Sequence, residues 1–128
     1  MEENFPSVNS ILSIKIVLLG YVAVGKTSLI NRYVSNIFST DAPSTQGASY
    51  SCKVINYQKY SQNVKLDIWD TSGQEKYRSL NKLFYKDAKI AILVYDITNK
   101  DSFDELKNYW FNQLENEAPK NLSKIYFS

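Results

Sequence analysis

The chain predicts an α/β fold, a mostly parallel sheet with helices on both faces and ligand loops at the carboxyl ends of its strands. Three observations carry this expectation. Ile14-Lys15-Ile16-Val17-Leu18-Leu19 is a near-continuous apolar run of the kind buried in a parallel sheet. It leads directly into Gly20-Tyr21-Val22-Ala23-Val24-Gly25-Lys26-Thr27, which fits the pattern G-x-x-x-x-G-K-S/T, and then into a segment with helical periodicity. A second continuous apolar run, Ile90-Ala91-Ile92-Leu93-Val94-Tyr95, is again followed by a helical pattern.

Residues 1–12 read as a flexible extension with Pro6 among polar neighbours, and 13–128 as one domain. After the first strand and glycine loop, Leu29, Ile30, Tyr33, Val34 and Ile37 mark one face of a helix reaching about residue 37. Pro43 discourages regular structure over about 38–47. Two strands follow, at about 48–58 and 63–70, whose alternation suits an antiparallel hairpin with one wet face. A short helix is expected before Ala88. Phe103, Leu106, Trp110 and Leu114 then mark one face of a helix ending near Pro119, opened by a capping box of Ser102 and Glu105. Lys124-Ile125-Tyr126-Phe127-Ser128 reads as the opening of a further strand.

The glycine loop implies triphosphate chemistry. Gly20 and Gly25 permit turns closed to other residues and a close approach of backbone to an anion. Backbone N–H groups at the following helix start then point at phosphate, with Val22, Ala23, Val24 and Ser28 completing the cradle. Lys26 adds a point charge for the β/γ-phosphates, and the Thr27 hydroxyl suits Mg²⁺. Asp70, closing the alternating run Val64, Leu66, Ile68, suits the outer sphere of that ion through water. Downstream of it, the Gly73 N–H is placed to reach the γ-phosphate and Gln74 to orient a water. The bland alternatives are a chance glycine turn and a strand-ending turn. The strand–loop–helix context argues against the first.

Lys65-Leu66-Asp67-Ile68-Trp69-Asp70-Thr71-Ser72-Gly73-Gln74-Glu75-Lys76-Tyr77 is very similar to the switch II segment of Rab proteins. Phe84-Tyr85-Lys86-Asp87-Ala88 resembles their Tyr-Tyr-Arg-Gly-Ala signature, and Leu93-Val94-Tyr95-Asp96-Ile97-Thr98 their fourth strand. Over about 14–128 the chain resembles a Rab within the Ras superfamily of small GTPases. The resemblance implies the P-loop small-GTPase fold, binding of GTP and GDP with Mg²⁺, hydrolysis to GDP and phosphate, and a role in vesicle-mediated and intracellular protein transport. It assigns Thr45 as the switch I Mg²⁺ ligand, Phe38 as the aromatic on the guanine edge, and Gln74, Lys26 and Thr45 as catalytic. Thr27, Thr45 and Asp70 become the metal residues. Effector, exchange-factor and GTPase-activating proteins would meet switch I, switch II, Tyr50, Trp69 and Tyr85. Tyr50 and Trp69 are equally readable as cross-strand packing partners.

Several features depart from that pattern. Val22 is β-branched where many relatives carry a small residue beside the γ-phosphate. It either crowds Gln74 and slows hydrolysis or is simply tolerated. Ser72 replaces the usual alanine, and Gln46-Gly47-Ala48-Ser49-Tyr50 differs from the common Rab sequence. The guanine-reading motifs Asn-Lys-x-Asp and Ser-Ala-Lys do not occur in residues 1–128; Asn99-Lys100-Asp101 places its aspartate one residue early. The expectation is a C-terminally truncated Rab that lacks the last strands and helices of the fold, with an exposed sheet edge and marginal stability. The alternatives are a non-catalytic interaction or decoy fragment with weak or no nucleotide binding, and a nucleotide kinase. The absence of an Arg-rich lid argues against the kinase.

Composition excludes other classes. A net charge of +2 from 15 basic and 13 acidic residues carries no nucleic-acid signal. With no histidine and one cysteine, Cys52, there is no His-based acid–base chemistry, no intramolecular disulfide and no Cys-based metal site. Cys52 reads as a buried, inert thiol. The acidic start and Lys15 argue against a signal peptide. A cytoplasmic protein is expected, peripheral on endomembranes only where a longer form is prenylated.

Overall fold

The computed structural model describes residues 11–38, 49–71 and 81–128. Its centre is a five-stranded sheet in the order β2-β3-β1-β4-β5. The strands are β1 (Leu12–Gly20), β2 (Ser49–Tyr57), β3 (Gln62–Asp70), β4 (Ile90–Val94) and β5 (Ser123–Phe127). β1 pairs parallel with both β3 and β4, and β5 extends the parallel set beside β4. Only β2 runs antiparallel, joined to β3 through a 3₁₀ turn at Gln58–Tyr60 and the left-handed Ser61. The predicted fifth strand is present. β1 starts two residues before the apolar run does, at Leu12, which lies opposite Val64.

Strand alternation sorts the apolar residues into two cores. Val17 and Leu19 of β1 and Ala91 and Leu93 of β4 face one side, where they meet Tyr85, Leu106, Trp110 and Leu114. Ile16, Leu18, Ile68 and Val94 face the other, beneath Ile30 of α1 (Lys26–Ser35). Helices therefore cover both faces. The first is covered by α2 (Asn81–Tyr85) and by a continuous helix made of α3 (Lys100–Glu105), a π-turn (Leu106–Trp110) and α4 (Phe111–Glu117).

Three local expectations need correction. α1 stops at Ser35 because Asn36 turns left-handed, with a φ of 55°, so Ile37 lies beyond the helix and is exposed. Tyr33 stays about half exposed, roofing a cavity, with the Lys53 ammonium 4.1 Å from its ring centre. In the long helix the cap is Asn99, whose side chain accepts from Asp101 N–H; no Ser102–Glu105 capping box opens the helix. Ser102 is instead fully buried inside the first turn, its hydroxyl donating to the Asn99 carbonyl at 2.7 Å and accepting from Asp96 N–H at 2.9 Å. That places Phe103 on the outside, against the Tyr95 ring at 5.4 Å, rather than in the core. Leu106, Trp110 and Leu114 are buried as expected.

Candidate functional site

The site forms where β1 and β3, adjacent parallel strands, end side by side with Leu18 opposite Asp70. Gly20 closes β1 at a φ of 152°, and a Cβ there would lie 2.2 Å from the Val94 carbonyl oxygen. No side chain fits. Gly25 has open space around it but a φ of 99°, so conformation rather than room demands glycine. Ala23 between them is also left-handed, at a φ of 60°. This winding turns the chain from the sheet into α1, for which Gly25 is an N-cap with no side-chain cap. A helix start of this kind presents backbone N–H groups and the positive end of its dipole to an anion.

Lys26 is 3% exposed, and its ammonium donates to the carbonyls of Gly20 at 3.0 Å and Tyr21 at 2.7 Å. The side chain arches back over the loop and fixes a positive charge within its curve. One residue on, the Thr27 hydroxyl donates to Asp70 Oδ2 at 2.5 Å, and Asp70 is itself buried. A hydroxyl and a carboxylate oxygen in contact form a hard-oxygen donor set that suits Mg²⁺. Among the described residues no group of three or more acidic, cysteine or histidine side chains is placed to hold a metal ion. In nucleotide sites Mg²⁺ usually completes its coordination with phosphate oxygens and water.

Thr71, which sequence reasoning treated only as part of a motif, is a pin. It is buried, and its hydroxyl donates to the Leu18 carbonyl at 2.6 Å, tying the end of β3 to β1. Thr45, Gly73 and Gln74 lie outside the described residues. Val22 stands about half exposed on the loop.

Beside the loop opens a cavity of about 360 Å³, walled by Val24, Ser28, Leu29, Arg32, Phe38 and Phe127. Phe38 is among the lining residues. Its exposed ring lies 5.9 Å from the Arg32 guanidinium, which is also held by Asn36 Oδ1 at 3.2 Å. Arg32 and Phe127 were not anticipated. Arg32 was findable, since it follows Ser28 by one helical turn. Phe127 was not, because its place depends on the pairing of β5.

On the opposite sheet face, Tyr50 lies directly across from Trp69, with ring centres 5.1 Å apart. The Tyr50 hydroxyl donates to Asp67, which Lys65 approaches at 3.4 Å; the bond to Asp67 pushes the phenol's pKa up. Lys15 lies 5.6 Å from the Trp69 ring centre and donates to the Lys86 carbonyl at 2.7 Å, fastening the end of α2. Burial lowers its pKa. Tyr85 does not join this surface: it is 1% exposed in the core, so the expectation that partners meet it is corrected. The preceding residue, Phe84, is partly buried and, like Trp69, packs against that same core. Cys52 is also corrected: it is exposed on the wet face of β2. No described helix is long and apolar enough to cross a membrane. Compared with known families, residues 15–127 match the model of the Ras family.

Proposed function

This chain belongs to the Ras family of small GTPases, GTP-binding switches that hydrolyse GTP, and we propose that it is a Rab-like member acting in vesicle traffic. The observation that carries the nucleotide reading is the cluster of Lys26, Thr27 and Asp70 at the mouth of a loop too tight for any side chain at Gly20. In this reading the loop from Gly20 to Ser28 wraps the phosphates and Lys26 leaves the loop carbonyls for the β/γ-phosphate oxygens. Phe38 and the cavity beside it take the base. Thr27 and Thr45 ligate Mg²⁺, and Asp70 acts on it through water. When bound, the ion neutralises charge on the β/γ-phosphates. Gln74 orients a water whose oxygen bonds to the γ-phosphorus as the bond to the β–γ bridging oxygen breaks. GDP leaves with the bridging oxygen, and the water's proton ends on inorganic phosphate. The Gly73 N–H and Thr45 sense the γ-phosphate and release on its departure.

The Rab assignment draws on the segment Lys65–Tyr77 and on the aromatic pair Tyr50 and Trp69, with Phe84 in place of Tyr85 as the third ring. Effectors would read that face, and the protein would be cytoplasmic and peripheral on endomembranes where lipidated. A titration with fluorescent GDP and Mg²⁺, beside an adenine analogue and Lys26→Ala, tests the site. Guanine-selective binding lost in Lys26→Ala is expected; equal binding of adenine, or none, would remove the switch reading. Val22→Gly is expected to raise single-turnover hydrolysis, and an unchanged rate would assign Val22 no role. Distribution of a tagged chain to the plasma membrane instead of internal membranes would count against the trafficking role.

A further inference from the structure

We propose that Thr71 is a positioning residue for the metal: its hydroxyl sets the direction in which Asp70 presents a carboxylate toward Mg²⁺. The inference rests on the nucleotide reading of the site and adds a side chain whose proton goes to the backbone rather than to a ligand. β3 ends at Asp70, directly opposite Leu18 of β1. Alternation along β3 puts Asp70 on the face of Leu66 and Ile68, which α1 covers. Its carboxylate therefore lies toward the first turn of α1 and meets the Thr27 hydroxyl at 2.5 Å. The pairing of β1 with β3 stops at this point; beyond it, Leu19 and Gly20 pair with β4.

Thr71 takes over where that ladder runs out. Its side chain supplies a hydrogen bond to the Leu18 carbonyl at 2.6 Å. The backbone around Asp70 is thus held to β1 from both directions, by the ladder before it and by the Thr71 hydroxyl after it. Only the two side-chain torsions of Asp70 remain to aim its carboxylate. Leu18, Asp70 and Thr71 are all at or below 3% exposure, so water is a poor substitute for the missing hydroxyl in a variant. Leu18 stands two residues before Gly20, where the phosphate loop begins. One hydroxyl therefore ties the residue that offers the carboxylate to the strand that carries the loop. Mg²⁺ demands near-ideal octahedral geometry, so its retention is sensitive to where that carboxylate lies. A hydroxyl with only a structural role would lower stability and leave metal retention unmoved.

Release of fluorescent GDP from the full 128-residue chain, followed at increasing free Mg²⁺, separates the two roles. The quantity read is the Mg²⁺ concentration that half-slows release. Thr71→Val keeps the β-branched shape without the hydroxyl and is expected to raise that midpoint about fivefold, the worth of one such hydrogen bond. Thr71→Ser restores the hydroxyl and is expected to return the midpoint to the wild-type value. With Mg²⁺ chelated, release should be equally fast in all three. Ile68→Val trims a buried side chain of the same strand, controls for lost stability, and is expected to leave the midpoint in place. Wild type that binds no guanine nucleotide overturns the switch reading and this inference with it. Binding with equal midpoints in wild type and Thr71→Val overturns this inference alone. So does an equal shift in Thr71→Ser or in Ile68→Val. Should Thr71→Val fail to fold, Thr71→Ala against Thr71→Ser decides by the same midpoint.

Discussion

The two faces of the sheet are built from the same strands yet are closed to different degrees. On one, α2 and the long helix seal Val17, Leu19, Ala91 and Leu93 under Tyr85, Leu106, Trp110 and Leu114, all at or below 2% exposure. On the other, α1 is the only described helix across the strands, and an apolar cavity of about 550 Å³ lies among Ile16, Leu18, Ile30, Leu66, Ile68 and Ile92. A helix is about 10 Å across, whereas five strands at about 4.8 Å spacing span more than twice that. One helix cannot close such a face. The phosphate-binding loop grows from the strand between these two cores, so it is anchored by the sealed side and adjoins the open one.

The comparison can be broken most severely where the two cores meet. Gly20→Ala forces a Cβ against the Val94 carbonyl, which as backbone cannot yield. A loss of more than about 4 kcal/mol in urea unfolding, together with loss of nucleotide binding, is expected. Next, Leu114→Ala on the sealed face should cost about 3 kcal/mol, while Leu66→Ala on the open face should cost only about 1 kcal/mol, since a half-covered side chain has less burial to lose. Equal losses would show that the faces are closed alike. Tyr85→Phe sharpens the picture of the sealed side. The Tyr85 hydroxyl and Trp110 Nε1 are buried with no hydrogen-bond partner, and removing the phenol is expected to stabilise by about 1 kcal/mol.

That change also carries a pH signature. Burial, with smaller contributions from Tyr109 and Glu117, raises the Tyr85 pKa above its ordinary 10.0. The folded state therefore holds the proton more tightly than the unfolded chain. Stability is complete below pH 10 and falls as pH climbs from there toward the folded value. Chemical denaturation of wild type from pH 9 to 11 should show this decline, and Tyr85→Phe should flatten it. The smallest expected effect is Ile92→Phe. Filling part of the open cavity is expected to raise the unfolding midpoint slightly, by about 0.5–1 kcal/mol in stability. A clear loss would mean that the cavity walls cannot accommodate the ring.

Much of this was legible before the structure. Apolar runs fixed the positions of β1 and β4, alternation fixed the β2–β3 hairpin, and the glycine spacing located the loop. These signals are local, and backbone geometry follows them directly. The failures were of orientation. Phe103 fits helical spacing, but the Ser102 hydroxyl bonds the chain before the helix and takes the buried position. Cys52 lies mid-strand as read, yet on the wet face, a choice set by which side of β2 meets helices. Tyr85 and Phe84 are adjacent, and only the docking of α2 decides which ring goes inward. The site was clearest at Lys26, Thr27 and Asp70, which are carried by motif. Arg32 and Phe127 enter through the fold.

The π-turn gives the long helix a property opposite to that of the β2–β3 hairpin. Phe111 N–H bonds the Leu106 carbonyl, one residue further back than an α-helix allows. Leu106, Trp110 and Leu114 recur every fourth residue, a spacing that would drift around a regular helix. The wider turn absorbs the drift. The segment therefore holds one residue more than a regular helix would need: deleting one position within 107–109 would restore regular winding and leave Leu106 and Leu114 seven residues, or about two turns, apart and still on one face. A one-residue slip in the register of the β2–β3 hairpin would instead move every side chain of the strand to the other face. The chain between Asn99 and Pro119 thus carries a reserve of length that the hairpin lacks.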